Sequence, residues 1–323
     1  MNLEEFPKVQ LHLHLDGSLR LKTASELSGK NIDEVKKLMI AKDKCLDLNE
    51  YLAKFNLANE IMQESKNLTR IAKELVEDLK KDNVIYAEVR FAPLLHIKKG
   101  LSEEEVIESV LLGLKDNDLK VNLILCMMRH FSYKDNLKTI ELTNKYLNKG
   151  VVAIDLAGAE AIYPTSNFAQ LFKIIKEKNI PFTIHAGEAD GKNSILEAIK
   201  FGTKRIGHGV RSIEDKETLK QIKENKITLE VCPTSNIQTN IYKDYKNHPI
   251  KKLFDENVLV TISVDNMTVS NVTLTQEYEK LVETFNFSVE DLKKINLNAI
   301  NAAFLTDKEK QHYKIIINNY KND

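Results

Sequence analysis

His12 and His14 stand two residues apart in the run Val9-Gln-Leu-His-Leu-His-Leu15. In an extended strand alternate side chains share a face, so both imidazoles point the same way and can grip one metal ion. Alone, the pair fits equally well two exposed side chains on a polar strand face. Further groups change that balance. His185 sits in Ile184-His-Ala-Gly-Glu188, His208 in Ile206-Gly-His-Gly209 and Asp265 in Ser263-Val-Asp-Asn266, each at the end of an apolar run, and Asp16 follows the first run directly. Imidazole and carboxylate donors without thiolate suit zinc, and also iron, cobalt or nickel; for hydrolysis zinc is the natural choice. Glu188, three residues beyond His185, can stand beside the ion without binding it. That is the place of a proton shuttle whose pKa a dry pocket would raise. A glutamate favoured by the dipole at a helix start is the bland alternative. His208 fits either a further ligand or a group that orients water, and Gly207 and Gly209 let the backbone crowd close.

These groups need a scaffold that gathers them. Apolar runs rich in Val, Ile and Leu predict strands at 8–15, 84–91, 121–128, 151–157, 181–186, 204–208, 227–232 and 258–264. After the first gap the spacing suits successive strand–helix–strand units. Eight strands alternating with helices predict an α/β fold, a (β/α)8 TIM barrel, in which active sites form at the carboxyl ends of the strands. A doubly wound sheet would carry a glycine-rich turn after the first strand, whereas here the turn reads Asp16-Gly17-Ser18-Leu19. Barrels with two ions often bridge them by a lysine at the end of the fourth strand. Here that strand ends Ile154-Asp-Leu-Ala-Gly158, which predicts one ion per chain.

The helices are also legible. Ser102 with Glu105 forms a capping box ahead of Val106 and Val110. Leu68, Ile71, Leu75 and Leu79 recur at helical spacing before the second strand, and Thr218 to Asn225 fits a helix between strands six and seven. The first excursion is too long for one helix. It predicts two or three extra helices over 21–79, lying on the active-site face. Residues 274–323 read as closing helices. No internal boundary divides residues 1–323, so a single domain is expected.

Composition narrows the function classes. The 323 residues carry 47 Lys+Arg against 47 Asp+Glu, and this neutral balance argues against binding nucleic acid through phosphate contacts. Hydrophobic residues at 42% suffice for a large core, and 11 glycines with 6 prolines exclude low-complexity segments. The three cysteines, Cys45, Cys126 and Cys232, are odd in number and widely spaced, which argues against a disulfide framework or zinc finger. No basic, apolar leader opens the chain and no run reaches the ~18 apolar residues of a membrane span. A cytoplasmic protein without a membrane partner is expected; the oligomeric state stays open, a monomer sufficing for the barrel.

Taken together the motifs resemble the adenosine deaminase family. Pro7-Lys-Val-Gln-Leu-His-Leu-His-Leu-Asp-Gly17 is similar to its opening. Ala87-Glu-Val-Arg-Phe-Ala-Pro93, Asp155-Leu-Ala-Gly158, His185-Ala-Gly-Glu188, Gly207-His-Gly209 and Cys232-Pro-Thr-Ser-Asn236 follow in family order. The resemblance implies a zinc-dependent hydrolysis of adenosine and 2′-deoxyadenosine to the inosine products and ammonia, with one zinc per chain. By that resemblance His12, His14, His185 and Asp265 are the zinc ligands. Glu188 protonates purine N1, and His208, assisted by Asp265, positions the attacking hydroxide. Asp16 holds the ribose 5′-hydroxyl, with His14 also at the substrate. The Gly158 N–H donates to N3, and residues 48–55 form an apolar roof over the ligand.

One position departs from the pattern. Many family members carry two Asp followed by Pro after strand eight; here the chain reads Asp265-Asn266-Met267. The second residue contacts N7, an acceptor only, and an amide can donate to it without first taking a proton. Asn266 is therefore expected to keep the contact. Among competing readings, adenine deaminases usually show Glu where Asp16 stands, a 5′-methylthio analogue would fit the same residues, and a silent binding protein would have lost a ligand or the acid.

Overall fold

The computed structural model describes residues 1–321. Eight parallel strands run through it: β1 Lys8–His14, β2 Val84–Phe91, β3 Lys120–Met128, β4 Val151–Ala157, β5 Ile184–Ala186, β6 Arg205–His208, β7 Thr228–Val231 and β8 Leu259–Ile262. They pair as β1-β2-β3-β4 and β5-β6-β7-β8. Two bridges, Ile154 with Phe182 and Leu13 with Asp265, join the halves. The cylinder is thus closed, and the fold is the expected (β/α)8 barrel. The second half has strands of only three or four residues, shorter than the apolar runs that predicted them.

The long first excursion holds α1 Leu21–Ser28, α2 Ile32–Met39, α3 Leu48–Leu52 and α4 Asn56–Ile61, followed by the barrel helix α5 Ser65–Lys81. The expected two or three extra helices are therefore four. The miss has a physical cause: α3 and α4 span five and six residues, too short to show a 3.6-residue period. Leu68, Ile71, Leu75 and Leu79 of α5 are all buried, as their spacing requires. The next helices are α6 Glu103–Leu114, opened by the Ser102–Glu105 capping box, α7 Tyr133–Tyr146, α8 Ala169–Glu177, α9 Lys192–Phe201 and α10 Lys216–Glu224. Then come the short α11 Pro233–Gln238 and α12 Ile250–Asp255.

Three closing helices complete the chain: α13 Leu274–Phe285, α14 Val289–Ala302 and α15 Asp307–Asn319. The closing segment expected to run to 323 is described to 321. Ala299 and Ile300 of α14, with Tyr313 and Ile317 of α15, pack on Val9, Leu11 and Tyr86. Just beyond α14, Phe304 N–H donates to Glu88 and its ring lies 4.3 Å from the Arg205 guanidinium. Arg205 opens β6, so this segment plugs the end of the barrel away from the strand carboxyl termini. All three cysteines are buried and free.

Candidate active site

The carboxyl ends of β1, β5, β6 and β8 converge as expected. His12 of β1 is fully buried, and its Nδ1 lies 2.8 Å from Glu230 Oε2 in β7. His185 of β5 sets its Nδ1 2.9 Å from Asp155 Oδ2 in β4. A carboxylate at Nδ1 fixes the ring proton there and leaves Nε2 bare to act as a donor. Asp265 follows β8 and is pinned on both sides. Its backbone pairs with β1, with Asp265 N–H on His12 O at 3.1 Å and His14 N–H on Asp265 O at 2.8 Å. Ser235 Oγ donates to its Oδ2 at 2.7 Å.

His208 and Asp265 both adopt left-handed backbone, φ 62° and 63°. For non-glycine residues this conformation is strained by roughly 1–2 kcal/mol. Strain of this kind is retained where the surroundings over-determine it, typically at functional sites.

The donor spacings test the fit of a metal. Ligands sharing a tetrahedral ion at ~2.05 Å stand ~3.3 Å apart. His14 Nε2 is 3.2 Å from His185 Nε2, and Asp265 Oδ1 is 3.4 Å from the Nε2 atoms of both His12 and His14. His12 Nε2 is buried with no hydrogen-bond partner. His208 lies in the same cluster, since His12, His185, His208 and Asp265 each place one donor atom within 4.8 Å of the others. Its partners differ, however: Nδ1 contacts the Asn236 side-chain amide at 2.9 Å, and Nε2 lies 3.7 Å from Glu188 Oε2. Gly207 is required beside this cluster, because a Cβ there would come within 2.9 Å of His12 Cε1.

Charge beneath the cluster points to a divalent ion. Arg90 donates to Asp155 at 2.9 Å and to Glu230 at 2.8 Å; Arg205 donates to Glu230 at 2.7 Å and to Glu88 at 2.5 Å. Burial opposes ionisation of Glu230, but Arg205 and Arg90 outweigh it and hold the carboxyl well below its ordinary range. Burial likewise opposes ionisation of Asp155, and His185 and Arg90 overcome it. Asp265 is also held low against its burial, by His12, His14 and His208. Asp155 and Glu230 thus meet the guanidiniums of Arg90 and Arg205, whereas Asp265 is ringed by imidazoles. A buried carboxylate without a cationic partner is unfavourable unless a cation neutralises it. Cys126 lines the cavity, but burial pushes its thiol well up, so it stays neutral and is no thiolate donor.

Glu188 and Asp16 behave oppositely to these paired acids. Burial first, then the nearby Asp265 and Glu160 carboxylates, raises the Glu188 pKa well above the ordinary range. Glu188 is held in place by Glu160, whose carboxylate accepts the backbone N–H groups of residues 187 to 190 at 2.7–3.0 Å. Burial raises Asp16 to about 7, and its Oδ1 has no partner.

All these groups open on a cavity of about 270 Å³. Leu48, Tyr51, Leu52 and Phe55 of α3 and the turn after it form its roof, where the 48–55 stretch was expected. Gly158 lies on its wall in a φ of 102°, a conformation only glycine adopts freely. Asn266 lines it too. One Nδ2 hydrogen goes to Tyr51 OH at 3.0 Å, and Oδ1 packs where a Gly17 Cβ would stand, which leaves the second Nδ2 hydrogen for a ligand. Among the described residues no lysine or arginine lines the cavity.

His14, Asp16, Gly158, His185, Glu188, His208, Asp265 and Asn266 line this cavity, and His12 is buried behind it, its Nε2 3.4 Å from Asp265 Oδ1. The supporting groups were not singled out: Glu230, Arg90, Arg205, Glu160, Asn236 and Tyr51. A signal for some of them existed, because charged residues within short apolar barrel strands can only face the interior.

Comparisons with known proteins place the chain in a family and a fold. The model of the family described as adenosine deaminase matches residues 7–319. Adenosine deaminase of Clostridium perfringens (strain 13 / Type A) is 43% identical, covering 98% of this chain and 99% of that protein. Adenosine deaminase of Clostridium botulinum (strain 657 / Type Ba4) is 44% identical, covering 97% and 99%. Among solved structures, the Arabidopsis N6-mAMP deaminase MAPDA superposes with a TM-score of 0.89 at 27% identity, covering 98% of this chain and 99% of that one. With the closed barrel, the donor cluster and a match over nearly its whole length, this chain belongs to the adenosine deaminase family.

Proposed function

We propose that the protein hydrolyses the 6-amino group of adenosine and 2′-deoxyadenosine, giving inosine or 2′-deoxyinosine and ammonia, with one zinc ion per chain. The observation that carries this reading is a buried carboxyl, Glu188, whose pKa burial raises, beside a set of donors spaced for one metal ion. His12, His14, His185 and Asp265 would hold the ion. Bound zinc supplies Lewis acidity, bringing the pKa of water toward ~7 so that a hydroxide nucleophile is available at neutral pH.

The residues of the chain then divide the work. Gly158 N–H donates to N3 and the remaining Asn266 amide hydrogen to N7, which sets the purine plane. Glu188 gives its proton to N1, drawing electron density from C6 as oxygen attacks there. His208 and Asp265 orient the attacking oxygen. The resulting tetrahedral carbon carries hydroxyl and amine. The Glu188 carboxylate takes the hydroxyl proton and passes it to the amine, the C6–N bond breaks, ammonia leaves and the C6 carbonyl forms. The roof formed by Leu52 and Phe55 excludes bulk water from this exchange.

Asp16 and His14 face the ribose 5′-hydroxyl in this reading. A 5′-phosphate would meet a carboxyl and no cationic side chain, which favours the nucleoside over the nucleotide. No described helix is long and apolar enough to cross a membrane. Three free buried thiols suit a reducing compartment, so we place the protein in the cytoplasm. The test is to incubate the purified protein with adenosine, 2′-deoxyadenosine, adenine, 5′-methylthioadenosine and AMP, following the ultraviolet change as the amino group leaves. The nucleosides should give the highest kcat/KM; a preference for adenine or AMP would overturn the assignment.

A further inference from the structure

We infer that Asn236 and His248 form a hydrogen-bond relay of fixed direction that sets the tautomer of His208, so that its Nε2 enters the cavity as a proton donor. Neither relay residue lines the cavity, so both are positioning residues. The inference rests on the deaminase reading only for its catalytic consequence; the tautomer itself follows from the hydrogen bonds.

The relay starts at a donor that cannot reverse. The backbone N–H of Ile250, at the start of α12, donates to His248 Nδ1 at 3.3 Å. His248 is buried, and burial lowers its pKa to about 3, so the ring is neutral and carries one proton. With Nδ1 accepting, that proton sits on Nε2, which lies 3.2 Å from Asn236 Oδ1. The amide is thereby oriented. Its Nδ2, 2.9 Å from His208 Nδ1, donates to that nitrogen. His208 Nδ1 accepts, and the ring proton of His208 is left on Nε2, on the side of Glu188.

Partner chemistry therefore sorts the imidazoles of one cluster into two kinds. A carboxylate at Nδ1, Glu230 for His12 and Asp155 for His185, leaves Nε2 bare and suited to a metal. An amide at Nδ1 leaves Nε2 protonated and suited to hold an oxygen. Reversal of the Asn236 amide would turn His208 into another bare nitrogen beside the donor set and remove the hydrogen bond that aims the nucleophile. The six-residue α11 carries Asn236, beside the Ser235 that holds Asp265, and the turn before α12 carries His248, so the relay joins these two elements to the site.

The test uses the metal-loaded enzyme. Asn236→Asp presents an acceptor to His208 Nδ1 and should draw the proton there, lowering kcat at least 100-fold while KM shifts less than threefold and metal content holds. His248→Leu removes the donor to Asn236 Oδ1 and should lower kcat about tenfold. His248→Gln, whose NH₂ can replace that donor, should return kcat to within threefold of wild type. Spectra of enzyme labelled with 15N-histidine, assigned by loss of a signal in His208→Gln, should place the wild-type proton on Nε2.

A His208 proton found on Nδ1, or an Asn236→Asp enzyme with unchanged kcat, overturns the inference. If Asn236→Asp does not fold, equal losses in His248→Leu and His248→Gln overturn it instead. A wild-type enzyme inert toward adenosine would defeat the functional reading alone, since the spectra still report the tautomer.

Discussion

Glu230 Oε2 accepts from His12 Nδ1 and from Arg90 Nη2, each at 2.8 Å, so one carboxylate oxygen links the metal-facing imidazole to the ionic floor of the barrel. Glu230→Gln should therefore act twice. It leaves Arg90 with Asp155 alone and Arg205 with Glu88 alone, weakening a buried ionic network by roughly 1.5–3 kcal/mol, and it loosens the orientation of His12, lowering metal affinity roughly 10–100-fold. Denaturant titration and metal competition read the two effects separately; an unchanged metal affinity would show that His12 is oriented by packing alone.

Metal removal should destabilise the protein as well as silence it. An ion held at a thousand times its dissociation constant contributes about 4 kcal/mol to folding. For a chain of this size that corresponds to a fall in Tm of roughly 6 °C on chelation. Elemental analysis of active enzyme should return one zinc per chain. Full activity and an unshifted melting curve in strong chelator would contradict the donor geometry.

Glu188→Gln removes the proton donor and should lower kcat about 10²–10⁴-fold with metal content unchanged. The sign of the pH dependence follows from the raised pKa of Glu188. The protonated form is the active one, so turnover persists through neutrality and declines on the alkaline side as the carboxyl ionises. The same group favours folding below the ordinary carboxyl range, and that contribution is lost as pH rises through its raised folded value. A pH–rate profile rising steadily above neutrality would refute the acid role.

Asn266→Asp should keep activity but make substrate binding depend on pH. The amide donates at any pH, whereas a carboxyl must hold a proton to donate to N7. KM of the variant should rise with pH through the pKa of the new carboxyl, with Tyr51 OH turning to donate where it now accepts. Matching KM profiles for the two enzymes would place N7 elsewhere.

Gly207→Ala tests the crowding at His12. The added Cβ would lie 2.9 Å from His12 Cε1 and 3.3 Å from the His185 Cα. Overpacking of this kind destabilises by roughly 1–3 kcal/mol. Displacing an imidazole fixed by Glu230 should also lower metal occupancy; a variant with full metal content and wild-type Tm would show that His12 has room to move.

The reacting groups were legible in the sequence because each falls at the end of an apolar run: His12 and His14 in one strand, His185, His208 and Asp265 after three others. Strand position alone therefore predicted their meeting. Residues such as Glu160 and Asn236 lie outside the strands and carry no such signal, and the role of Asp155, though it sits in an apolar strand, depends like theirs on a partner far away in the chain. Asp155 meets His185, Glu160 meets the backbone of residues 187–190, and Asn236 meets His208. Helix α4 was missed for length, whereas α3 falls in the 48–55 stretch that the resemblance marked as a roof helix.

The seam between Leu13 and Asp265 has a consequence for synthesis. As the polypeptide leaves the ribosome its first two imidazoles emerge almost at once, yet the carboxylate that completes their cage arrives some 250 residues later. Under the proposed ligand set, metal capture would wait until the barrel can close, and a truncated nascent chain would present loose histidines to any passing ion without the means to retain it.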